Sequence, residues 1–116
     1  MKNQFAVNYR KINKVSRIPS AVAAAQTYDA LRLISLAIFQ ANSTEGPQLQ
    51  AALENLTHST TSTVVSRYAR PFTPTDHEAI AENMIVLGEI RKGQVTYAYK
   101  EDASSAGIMR TKAPAK

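Results

Sequence analysis

Apolar side chains recur at three- and four-residue intervals through the first half of this chain and at two-residue intervals near its end. Phe5, Tyr9 and Ile12 stand at i, i+4 and i+7, with Asn8, Arg10, Lys11 and Lys14 between them. That spacing predicts an amphipathic helix of about three turns. Pro19 is expected to close the segment, because the residue before proline avoids the helical region.

The strongest periodicity runs from Ala21 to Ala41. Ser20 is placed to cap it. Tyr28, Leu31, Ile34 and Ile38 form one stripe, broadened by Ala30, Leu33, Ala37 and Ala41. Leu36 and Phe39 interrupt the polar strip of Asp29, Arg32, Ser35 and Gln40. A helix this apolar is usually covered on more than one side. Asn42 to Pro47 then reads as a turn, with the proline suited to the first turn of a third helix. Leu49, Ala52, Leu53 and Leu56 carry that helix to about Leu56.

Beyond it the period changes. Thr57 to Thr63 is a Ser/Thr-rich connector leading to a possible short strand at Thr63-Val64-Val65. Pro71 to His77 contains two prolines and reads as a loop or an edge segment. Met84-Ile85-Val86-Leu87, continuing to Ile90, predicts a buried strand. Lys92-Gly93 is a turn, and Val95, Tyr97 and Tyr99 alternate as the return strand of a hairpin. From Asp102 onward Ala, Ser, Gly, Lys and Pro predict a loose basic tail. The expected organisation is one segment over 1–101 and a tail over 102–116, with no internal repeat.

Composition changes this picture little. A length of 116 residues allows one small domain. With 44% hydrophobic and 20% charged residues, full disorder is excluded. The net charge of +5 raises nucleic acid or an anionic membrane as partners. However, the basic residues divide between Lys2 to Arg17 and Arg91 to Lys116 without a dense run, and no RNA-binding motif interleaves aromatics with them. No nucleic acid is expected. The absence of cysteine removes disulfides, thiolate metal sites and Cys nucleophiles. No run approaches the ~18 consecutive apolar residues of a membrane span. The N-terminal residues show no signal-peptide core.

Candidate chemistry is sparse. His58 and His77 are the two histidines, and neither has metal-ligand spacing. Asp76-His77-Glu78 could be an acid–base cluster, but adjacent loop residues point apart and no nucleophile elbow accompanies them. Asp76 capping the following turn is the expected role. Asp29 and Arg32 fit a surface ion pair or an interdomain contact. The four glycines are scattered and build no phosphate loop. No catalytic, metal or cofactor site is expected, and the chain does not read as an enzyme.

A family resemblance adds to this. Phe5 with Tyr9, the stretch Ala24-Ala25-Gln26-Thr27-Tyr28-Asp29-Ala30-Leu31-Arg32-Leu33, Ala37-Ile38, Ser43-Thr44-Glu45-Gly46 and Leu49 to Glu54 follow one another in order. Pro71 to His77 and the hairpin Gly88 to Val95 complete the series. Together, over roughly Phe5 to Ala98, they resemble the C-terminal part of type I periplasmic substrate-binding proteins of branched-chain amino-acid ABC transporters. The resemblance implies a partial periplasmic-binding-protein-like α/β fold, with two or three helices followed by short strands and a C-terminal β-hairpin. It implies a periplasmic receptor whose parent protein closes two lobes on an amino acid or aromatic acid and docks on a membrane permease. Five positions before the tyrosine of the Tyr28-Asp29-Ala30 motif, the family often lines its cleft with an aromatic residue. Here that position is Ala23, flanked by Val22, and the resemblance makes these two the ligand-binding candidates. Two alternatives belong to other classes: a homodimer or larger homo-oligomer covering the long apolar helix, and a basic nucleic-acid binder.

Overall fold

A computed structural model describes residues 4–57, 63–65, 68, 70–105 and 112. Helix α1, Gln4–Asn13, has the predicted period and buries none of its residues. Pro19 does not end it. Lys14 does, by adopting a left-handed backbone (φ 54°) that lets the Val15 N–H reach the Arg10 carbonyl at 3.1 Å. The Phe5 ring sits 5.2 Å from that of Tyr28, centroid to centroid.

Helix α2, Ala21–Ala41, has its predicted bounds. Ser20 takes the cap position but contributes its carbonyl, which accepts from the Ala24 N–H, and not its hydroxyl. Asn42 ends the helix in the left-handed region, which asparagine tolerates. The buried face differs from the expected stripe. Ala25, Asp29, Leu33 and Ala37, each four residues apart, are buried. Tyr28, Leu31 and Ile34 are exposed. The physical reason is tertiary: Leu33 and Ala37 pack with Ala52, Leu56 and Tyr68, and Asp29 accepts the Val64 and Val65 amides. By length and composition α2 is also apolar enough to cross a bilayer, although its apolar residues form no uninterrupted run. Its Ala25-to-Ala37 face is instead packed within the chain.

Helix α3, Gly46–Glu54, starts with proline in its first turn and lies against α2. Leu33 and Ala37 of α2 meet Ala52, Leu56 and Tyr68 in a small core, flanked by Leu36, Leu49, Leu53, Phe72, Ala79 and Met84.

Thr63–Val65 forms no strand, because the Val64 and Val65 amides go to the Asp29 side chain of α2. Met84–Leu87 is not a buried strand. Glu82–Met84 is a single 3₁₀ turn, and Ile85, Val86 and Leu87 are exposed. The ladder begins at Gly88. Strand β1, Gly88–Arg91, pairs antiparallel with β2, Gln94–Tyr97, and Ile90 faces Val95 across it. Lys92 and Gly93 both have positive φ, the turn geometry that matches strand twist. A short helix α4, Lys100–Ser104, packs against β2 and crosses the expected tail boundary at 101/102.

Candidate functional site

Two polar side chains of α2 fasten the segment that follows α3. Gln40, near the helix C-terminus, donates from Nε2 to the Asn55 carbonyl at 2.9 Å. Its Oε1 accepts from the Thr57 N–H at 3.0 Å and the Thr57 hydroxyl at 2.9 Å. Asp29, three turns earlier, accepts the Val64 N–H at 2.6 Å on Oδ1 and the Val65 N–H at 2.8 Å on Oδ2. Asp29 is only 1% exposed, so it is not the surface residue its helical spacing suggested. A buried carboxylate needs such donors, because an unpartnered buried charge costs several kcal/mol or more. Tyr68 lies against the same carboxylate. Burial, and then the charge of Asp29 and a hydrogen bond to it, push the Tyr68 phenol up from 10.0 to about 12.

Beside this fastener lies a cavity of about 370 Å³. Leu33 and Ile34 of α2, Leu53 of α3, and Phe72, Ala79 and Ile80 form its apolar walls. Asp29, Tyr68, Gln26 and Ala30 complete the lining. A second, more open cavity of about 520 Å³ runs along α3 and shares Leu53 and Phe72 with the first.

Phe72, the aromatic part of the shared wall, comes from the loop after Tyr68. Thr73 and Asp76 exchange backbone hydrogen bonds at 2.8 and 3.3 Å across Pro74-Thr75. The Asp76 carboxylate accepts the Glu78 N–H at 3.0 Å, so it caps the next residues as its sequence position suggested. Two attachments hold this loop. His77 Nε2 meets Glu54 of α3 at 3.1 Å. From the chain's C-terminal region, the Lys112 ammonium donates to the Pro71 carbonyl at 3.1 Å, the Asp76 carboxylate at 2.5 Å and the Glu78 carbonyl. The Lys112 side chain is only 10% exposed. Its hydrogen bond, followed by the Glu78 amide, holds the Asp76 carboxyl below its ordinary value.

The Asp76 carboxylate therefore pairs with Lys112 and the His77 imidazole with Glu54, so the two side chains do not join in an acid–base pair. His58 lies outside the described residues. Among the described residues no group of three His, Cys, Asp or Glu side chains gathers as a metal site. Val22 and Ala23 lie on the first turn of α2, exposed to solvent, Val22 by 68%, and line neither cavity.

Sequence reasoning missed Tyr68 and Phe72 as site walls, and Lys112 as an anchor. An aromatic beside proline in a two-proline loop was a signal for Phe72. No local pattern marks Tyr68 or Lys112.

The fold defined by these elements is mixed α/β: four helices and one two-stranded antiparallel sheet among the described residues. No family model, no curated protein and no solved structure matches the chain.

Proposed function

We propose that this chain is a substrate-binding component, or a segment of one, of a periplasmic ABC transporter for amino acids or related small carboxylates. The reading rests on the ordered motifs from Phe5 to Val95. One structural observation supports it: apolar faces on two elements stand bare. Leu31 of α2 is 61% exposed, and Ile90 and Val95 of the hairpin are 78% and 79% exposed on one side of the sheet. A segment of a larger two-lobed α/β protein has such faces where the remaining layers pack. In the intact receptor the ligand lies between the lobes, beside Val22 and Ala23. Binding shifts the population toward the closed form that docks on the permease.

A single segment of a cleft makes only part of the contacts, so its own affinity falls to the order of millimolar. The test is an NMR titration of this chain with leucine, other amino acids and benzoate. Saturable shifts at the Val22 and Ala23 amides support the reading. Silence at those amides with every ligand overturns it.

The bare faces also favour a second reading, a small homo-oligomeric interaction module in which a second copy covers them.

A further inference from the structure

We infer that the 370 Å³ cavity between α2, α3 and the Phe72–Ile80 wall is a binding site for a small uncharged apolar molecule, of the alkylbenzene or indole class. The volume falls at the lower end of the roughly 300–1,000 Å³ of small-molecule pockets. Its walls are aliphatic and aromatic, and Ile34 and Ile80, partly open to solvent, leave an entrance.

The polar part of the lining decides the ligand's charge. Among the described residues no Lys or Arg lines the cavity, and the one carboxyl group there is that of Asp29. A carboxylate ligand would meet the Asp29 carboxylate with no cation among the described lining residues to offset it. A ligand ammonium would have to shed its water for a carboxylate already accepting two amide hydrogen bonds. A neutral ligand loses little and gains the burial of its apolar surface. The Phe72 ring on the wall favours an aromatic guest, through offset or edge contacts.

The wall is also prepared in advance. Lys112 and the His77–Glu54 contact hold the loop that carries Phe72, Ala79 and Ile80, so closing on a guest requires little further ordering of backbone. This site is separate from the Val22–Ala23 surface proposed for a carboxylate, and its ligand class is the opposite one.

The experiment is a methyl-resolved NMR titration of the whole chain with toluene and with indole, and in parallel with benzoate and benzylamine. Saturable shifts of the Leu33 and Leu53 methyl groups with the neutral probes are expected. Ala79→Leu, which fills part of the cavity, should weaken them about tenfold. Leu53→Trp is the second filling variant. The thermal melt of each variant without ligand shows whether it folds, and the folded one is used. The inference is overturned by no saturable shift in the unaltered chain, by undiminished binding in a folded filled variant, or by benzoate or benzylamine binding as tightly as toluene. Carboxylate shifts at Val22 and Ala23 are read at different resonances, so the two proposals fail independently.

Discussion

Asp29 ties a distant stretch of chain to α2, because its buried carboxylate receives two consecutive backbone amides and lies against Tyr68. Asp29→Ala leaves the Val64 and Val65 N–H groups without their acceptor. It should cost roughly 2–4 kcal/mol, read from urea unfolding, with Asp29→Asn costing less because one acceptor oxygen survives. Tyr68 gives a pH signature. Its pKa is higher in the folded chain than unfolded, so its contribution is intact below pH 10 and is lost as pH rises from 10 through about 12. Phenolate absorbance, measured as the difference between the chain and Tyr68→Phe, should appear around pH 12. Asp76 has the opposite sign. Its pKa is lowered, so the Lys112 attachment is present above the ordinary carboxylate range and is lost as pH falls through the lowered value. At neutral pH, Asp76→Asn should make Lys112 react several-fold faster with amine reagents, as followed by peptide mass spectrometry. An unchanged rate would show that the carboxylate does not hold the ammonium. Neither Asp29's role nor Lys112's was legible locally. Each depends on partners about 35 residues or more away, and sequence spacing reports only neighbours within a turn or two.

At the scale of elements, the helices were the legible part. The bounds of α2 followed from its caps and period, and the ends of α1 and α3 came within a few residues. Helical hydrogen bonds are local, so local sequence carries them. The orientation of α2 was not legible. Bulk placed Tyr28, Leu31 and Ile34 inside, whereas the neighbouring chain packs on the alanine-rich face. The hairpin turn was legible for the same local reason, since Lys92-Gly93 accepts positive φ. Its burial was not, because among the described residues no third layer covers the apolar side on which Ile90 and Val95 stand. Ile90→Thr should therefore change stability by less than about 0.5 kcal/mol in urea unfolding of this chain. A loss well above that would mean the face is covered in solution.

That uncovered surface governs the behaviour of the whole molecule. The core is small, and large apolar side chains on α2 and on the hairpin meet solvent. Light scattering behind size-exclusion chromatography should find self-association that rises with concentration, and Phe39→Asp should reduce it. A clean monomer with a cooperative melt at all concentrations would remove the homo-oligomer reading. Local sequence by itself determined the helices and the hairpin turn, because each is settled by bonding or geometry within a few residues. Tertiary structure alone decided which face of α2 is buried and that Asp29 is a fastener for distant backbone. It also decided that Phe72 and Ile80 wall a cavity beside it. Those outcomes depend on which remote segments come together, and a buried charge or an apolar wall has no meaning until its partners are in place.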